Sequence, residues 1–180
     1  STSNPNLLRA KERLEKQSKR TAILDLIAKP ESEGNNAAGL NPNFTDDELY
    51  LLAEIQNLIQ SEDYQVAIEK SRKCLKKDLR AYFQAAVLRK IIQAHHLQGE
   101  EKLALAVADE LIQLQPFRVN NILLKASLLQ NIEEKLKAIE KATELDPHSV
   151  DAKFEMSRTL SRLLNQKNGA QKIDAARQIE

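Results

Sequence analysis

Residues 132–147, IEEKLKAIEKATELDP, contain one helix-length segment that lies between two short polar breaks. In both directions from it, the chain from residue 46 onward repeats this arrangement, because further segments of similar length are separated by further short breaks. The breaks fall at residues 61–63, 78–79, 98–99, 115–116, 130–131, 146–149 and 165–169. This alternation predicts an all-α fold built as a ladder of helical hairpins, an arrangement typical of repeat proteins.

The composition also favours a chain that is nearly all helix. Among 180 residues there are four Gly, five Pro, three Tyr and four Phe, and Trp is absent. Such a chain lacks the turn residues and aromatic strands of a β-sandwich or barrel. The 27 Lys and Arg residues nearly balance the 26 Asp and Glu residues, giving a net charge of +1. The whole-chain charge therefore gives no indication of nucleic-acid or anionic-membrane binding.

The cysteine and methionine contents indicate the cellular compartment of the protein and the extent of the chain. Cys74 is the only cysteine, which excludes a disulfide framework, a cysteine zinc site and a CxxC motif. Nothing requires an oxidising compartment, so we expect a cytoplasmic protein. No apolar run approaches the roughly 20 residues of a membrane-spanning helix, and no signal-peptide pattern is present. Since Met156 is the only methionine, we expect this chain to be a piece of a longer protein.

Residues 1–29 are predicted to form a separate basic N-terminal helix. Asn4 and Pro5 suit the N-cap and first helical position. The segment carries seven basic and three acidic side chains, a local charge of +4. Its apolar residues form two clusters, Leu7, Leu8 and Leu14, then Ile23, Leu24, Leu26 and Ile27. We therefore expect the ends of this helix to dock on a neighbour.

Residues 30–44 are predicted to be a linker, because they collect Gly, Pro, Asn and Ser. The charge changes sign just beyond it. Residues 30–63 contain eight acidic and no basic side chains, whereas residues 64–90 contain eight basic and two acidic ones. Consecutive elements at the start of the helical region are therefore expected to carry opposite charge.

The first helix after the linker is predicted to begin at Asp46. Thr45 and Glu48 have the spacing of a capping box, in which each side chain accepts a hydrogen bond from the backbone amide of the other residue. Phe44 and Leu49 have the spacing of a hydrophobic staple across the same helix start. The sequence therefore marks this boundary with two independent signals.

The segment 132–147 resembles the second helix of a tetratricopeptide repeat (TPR). Ala142 stands five positions before Pro147, as the family's alanine does, and Ile139 occupies its large inward position. The segments around Ala67 and Ala104 resemble the same helix. The preceding first helices then place their inward residues at helical spacing: Leu51, Ile55 and Leu58; Leu88, Ile91, Ile92 and His95; and Val119, Ile122, Leu123 and Ala126. A fourth first helix would begin near Asp151, with residues 170–180 as its partner.

The resemblance covers about residues 46–180, with three to four repeats. It implies a right-handed helical-hairpin solenoid, TPR-like, over residues 45–180, preceded by the extra N-terminal helix. The alanine-type positions Ala67, Ala104 and Lys135 are 37 and 31 residues apart, where regular repeats would be about 34 apart. Lys135 also replaces a small residue, and Glu54 replaces an apolar one. A related helical solenoid or an irregular bundle is therefore the alternative.

The resemblance implies a non-catalytic scaffold or adaptor for protein–protein interaction, whose first helices line a concave groove for a partner protein or peptide. The groove-facing positions are Leu52, Gln56, Arg89, Lys90, Gln93, His96, Asn120, Asn121, Leu124, Asp151, Phe154, Arg158 and Arg162. Four of these are cations suited to carboxylates of an acidic partner, and the asparagines suit a peptide backbone. Ordinary solvated charge on a helix face is the alternative.

No motif indicates a catalytic residue, a metal ligand, a cofactor or a small-molecule substrate. The sequence has no Gly-rich phosphate loop, HExxH or GxSxG motif. His95 and His96 are adjacent, so on a helix they point about 100° apart and cannot chelate one ion together. Cys74 is expected to be a core thiol. The basic run 70–80 is expected to be solvated or to pair with the acidic segment 31–63, since few aromatic residues accompany it for nucleic-acid stacking.

Two further possibilities concern assembly. The chain is alternatively a regulatory or oligomerisation region of a larger enzyme, for example a glycosyltransferase, whose catalytic domain lies outside these residues. A homodimer through the exposed end of the solenoid is also expected to be possible, through Ile173, Ala176 and Ile179.

Overall fold

The computed structural model describes residues 44–77 and 79–177, with side chains as far as residue 166. These residues form seven α-helices and no strand, which confirms the all-α class for this part of the chain. The helices are α1 (Asp46–Gln60), α2 (Tyr64–Leu75), α3 (Ala81–Gln98), α4 (Glu101–Leu114), α5 (Val119–Leu128), α6 (Ile132–Leu145) and α7 (Val150–Arg177). The helix predicted at 1–29, and the linker up to residue 43, lie outside the described residues. No described helix is long and apolar enough to cross a membrane.

The helices group into two compact units, one ending at Gln115 and the other beginning at Pro116. In the first unit, α1 packs on α2 and α3, α2 packs on α3, and α3 packs on α4. In the second unit, α6 packs between α5 and α7, and α5 also touches α7. Consecutive helices within each unit are therefore spatial neighbours, as in helical hairpins.

The start of α1 is built as its sequence predicts. The Thr45 amide donates to Glu48 Oε2 at 2.8 Å, and the Glu48 amide donates to Thr45 Oγ1 at 3.3 Å, so the capping box is confirmed. Phe44 packs edge-to-face on Phe83 of α3, with ring centroids 6.1 Å apart. Leu49, the residue expected to cover Phe44, is 50% exposed. The residue before the cap thus anchors the helix start on α3.

Alanines without exposed surface lie inside both units. Ala104 and Ala108 of α4, Ala142 of α6 and Ala152 of α7 are completely buried. A methyl side chain allows two helices to approach closely, because interiors are packed to the density of organic crystals. The third alanine-type position, Lys135, is buried too, so α6 accommodates a long side chain at a position where the repeat pattern has a small one.

The predicted break at residues 165–169 is wrong. The structure continues α7 as one helix of 28 residues, so residues 170–177 extend α7 and do not form the separate partner helix of a fourth repeat. A single glycine such as Gly169 costs only about 1 kcal/mol within a helix, and Gln166, Lys167, Ala170 and Gln171 in the same stretch are good helix formers. The other predicted breaks coincide with, or adjoin, observed helix ends.

Ion pairs between helices occupy much of the basic run 70–80. Arg72 of α2 donates from Nη1 and Nη2 to the two carboxylate oxygens of Glu110 of α4, at 2.6 and 2.9 Å. Lys70 pairs with Glu54 and Arg80 pairs with Glu48. Both of these acidic partners lie on α1, within the acidic segment that the sequence pairs with this run. These cations therefore fasten neighbouring helices of the first unit.

Gly99 ends α3 in the left-handed conformation, with φ of +80°. The Gly99 amide donates to the His96 carbonyl at 3.0 Å, and the Glu100 amide donates to the His95 carbonyl at 2.9 Å. This pair of bonds is a Schellman motif. The left-handed residue turns the chain directly from α3 into α4.

We expect Gly99→Ala to lower the free energy of unfolding by about 1 kcal/mol. A Cβ atom at this position meets no atom within 4 Å, so the cost is that of the backbone conformation alone. Gly99→Asn is the control, because asparagine tolerates the left-handed region and should recover part of the loss. Urea denaturation measures both variants. An alanine variant as stable as the native protein would contradict this account of the turn.

Candidate partner-binding surfaces

The predicted groove positions are distributed over both units, and each unit is described by itself. In the first unit they lie on α1 (Leu52 and Gln56) and on α3 (Arg89, Lys90, Gln93 and His96). In the second unit they lie on α5 (Asn120, Asn121 and Leu124) and on α7 (Asp151, Phe154, Arg158 and Arg162).

In the first unit, a polar contact joins α1 and α3, the two helices that the sequence predicts to be neighbouring first helices of hairpins. Lys90 Nζ of α3 donates to Gln56 Oε1 of α1 at 2.7 Å. Burial lowers the pKa of Lys90, because the charged ammonium is disfavoured away from water. Gln93 lies three positions further along α3, on the neighbouring turn, and is half-buried. The ammonium group of Lys90 is therefore hydrogen-bonded within the unit and is little accessible to a partner.

His96 is held by the turn between α3 and α4. Its Nδ1 lies 3.0 Å from Glu101 Oε1, and only 9% of its side chain is exposed. The adjacent His95 makes the equivalent contact with Glu100, at 2.7 Å. In the described part of the chain, no group of three or more His, Cys, Asp or Glu residues is placed to hold a metal ion. Both histidines thus stabilise the hairpin turn.

Three predicted groove residues belong to the packed interior instead. Arg89 is only 5% exposed, and Asn121 and Leu124 are completely buried. The physical reason is clearest at α5, where seven of the ten residues are buried, so nearly the whole circumference of that helix is covered. The prediction of one inward-facing stripe per helix therefore underestimates how many residues of α5 are buried. Asn120, on the same helix, is half-buried.

The second unit exposes an apolar face on α7. Val150, Phe154 and Leu164 are 79%, 64% and 60% exposed, and Leu160 is also exposed. Their spacing places them on one side of the helix, whereas the buried Ala152 lies on the other side. We call the four exposed apolar residues, Val150, Phe154, Leu160 and Leu164, the α7 surface.

Cations border the α7 surface. Arg162 and Lys153 are exposed. Arg158 is half-buried and lies 3.4 Å from Glu155 on the same helix. Of the predicted groove residues, Phe154 and Arg162 are thus the most accessible. The prediction missed Val150, Leu160 and Leu164, although the sequence signal was present: these apolar residues do not share the helix side of Ala152.

No protein-family model and no curated protein sequence matches this chain.

We expect the free energy of unfolding of the native protein, relative to that of a Lys90→Met variant, to increase as the pH rises through the lowered native-state pKa of Lys90 toward 10.5, the ordinary lysine pKa. In this interval the unfolded state binds more protons than the native state, because the pKa of Lys90 is lowered only in the native state. Stability therefore rises with pH. Below this pH interval, the native protein carries the full cost of burying the Lys90 ammonium.

Urea denaturation of both proteins at several pH values measures this difference. Lys73→Met, which removes an exposed lysine of α2, is the control for the loss of one positive charge. If the difference in the free energy of unfolding between the native protein and Lys90→Met stays constant over this range, the Lys90 ammonium that contacts Gln56 is not shielded from water.

Proposed function

We propose that this chain is a non-catalytic scaffold that binds a segment of another protein through the α7 surface. The observation that carries the proposal is the exposure of Phe154, 64% of whose surface faces solvent. It stands among other exposed apolar side chains on a regular helix. Exposed apolar side chains on one face of a helix are typical of interaction sites, and aromatic side chains frequently dominate binding energy.

The shape and charge of the α7 surface favour an amphipathic helix as its partner. From Val150 to Leu164 the surface is about 21 Å long, at 1.5 Å per residue, which is the length of about four helical turns. A partner helix can lay its apolar side along such a strip. Because Lys153 and Arg162 border it, the partner is expected to carry acidic residues beside its apolar ones.

The proposal places the hairpins in a right-handed, TPR-like solenoid. Ala67, Ala104, Ala142 and Ile139, which carry the resemblance in the sequence, are all buried, and this supports the assignment. The continuous α7 is a departure from it, since no separate helix follows within the described residues. A cytoplasmic location is part of the same proposal, and it accords with the single, buried cysteine Cys74.

Selection of helical peptides from a display library on the intact chain, followed by calorimetric titration, tests the proposal. We expect the selected peptides to combine apolar and acidic residues. Phe154→Ala should weaken their binding at least about tenfold, as loss of a central aromatic contact does. Arg162→Glu should weaken it further, with a smaller effect at high salt.

Phe117→Ala is the matched control, because Phe117 is another exposed phenylalanine of the same unit and lies outside α7. Its binding should equal that of the native chain. Equal binding by Phe154→Ala and Phe117→Ala would contradict the assignment of the α7 surface as the binding site.

A further inference from the structure

A second exposed apolar face lies on α1, at the beginning of the first unit. Tyr50 is 73% exposed and Leu49 is 50% exposed, and Ala53, on the next turn, is exposed as well. The core residues Ile55 and Ile59 occupy the other side of the helix. We call Leu49, Tyr50 and Ala53 the α1 face. It belongs to the first unit, whereas the α7 surface belongs to the second, so we consider its occupant separately.

The ends of the α1 face are acidic. Asp46 and Asp47 are exposed in the first turn, and Glu62 and Asp63 are exposed just after the helix ends. Among the described residues, no lysine or arginine pairs with any of these four carboxylates, whereas Glu48 and Glu54 of the same helix are paired. The first two also suit the positive end of the helix dipole. An occupant with basic residues beside an apolar centre complements this face.

The N-terminal segment 1–29 has this chemistry. It carries seven basic and three acidic residues, and its second apolar cluster occupies residues 23–27. Lys19 and Arg20 precede that cluster, and Lys29 follows it. The order of basic, apolar and basic residues therefore matches the order of acidic, apolar and acidic residues along α1.

The covalent connection also allows this segment to reach α1. Phe44, anchored on Phe83, fixes the chain at the first turn of α1. The linker from residue 30 to residue 43 contains 14 residues, which span at most about 50 Å when fully extended. The 15-residue α1 is only about 22 Å long. Residues 23–27 can therefore reach any point of the α1 face, and a short tether gives them a high effective concentration there.

We propose that residues 23–27 of the N-terminal segment dock on the α1 face of their own chain, with Lys19, Arg20 and Lys29 directed to the carboxylates at its ends. The docked segment covers Leu49 and Tyr50, and the contact is intramolecular.

Hydrogen exchange of the full chain tests this proposal. Backbone amides of residues 23–27 should exchange at least about tenfold more slowly than in an unstructured peptide of the same sequence, because docking protects them. In the double variant Leu49→Asp, Tyr50→Asp this protection should be lost. High salt should reduce it in the native chain, since the charged contacts are at the surface.

Val66→Asp is the matched control, because Val66 is half exposed on α2 of the same unit, and it should retain the protection. Slow reaction of the Cys74 thiol with a water-soluble disulfide reagent verifies that each variant remains folded. This thiol is buried, and burial raises its pKa, so it reacts readily only when the unit opens.

Three results would overturn the proposal. The first is rapid exchange of residues 23–27 in the native chain. The second is protection that survives in the double variant, which would place the segment elsewhere. The third is protection that disappears on dilution, which would identify a second copy of the chain as the molecule that supplies or receives the segment.

Discussion

The close approach of helices at fully buried alanines is the constraint on which both units depend. Ala104 and Ala108 on α4, and Ala142 on α6, have no accessible surface. Because protein interiors are tightly packed, we expect a larger side chain at these positions to force the helices apart. Large residues such as Phe83 and Ile139 fill the space that remains. Interaction with other molecules is consequently left to outward-facing side chains, of which the most exposed apolar ones lie on α1, α7 and the connections between helices.

Features set by local sequence were predictable. The start of α1 at Asp46 follows from the capping box of Thr45 and Glu48, which involves only neighbouring residues. The burial of Ile91 and Ile92 on α3 follows from helical spacing. The continuation of α7 through residues 165–169 was not predictable in this way. A lone Gly169 weakens a helix without terminating it, so whether the helix continues depends on the balance over the whole segment.

The candidate surfaces were predictable only in part. Helical spacing assigns a residue to a side of its helix, and it placed Phe154 and Arg162 on accessible positions. Helical spacing does not show whether a second helix covers that side. For this reason Asn121 and Leu124 were expected at the surface, although both are buried. Pairing of charges has the same limit. The acidic segment supplies Glu54 to Lys70, but Arg72 pairs with Glu110, which is distant in sequence.

The free energy of unfolding of an Ala108→Leu variant tests the packing constraint most directly. Ala108 is completely buried, so the added atoms should lower stability by about 1–3 kcal/mol. Ala106→Leu makes the same change at an exposed position of the same helix, α4, and should alter stability by no more than about 0.5 kcal/mol. Urea denaturation of the two variants compares them under identical conditions. If Ala108→Leu is as stable as Ala106→Leu, close helix approach at buried alanines does not hold this fold together.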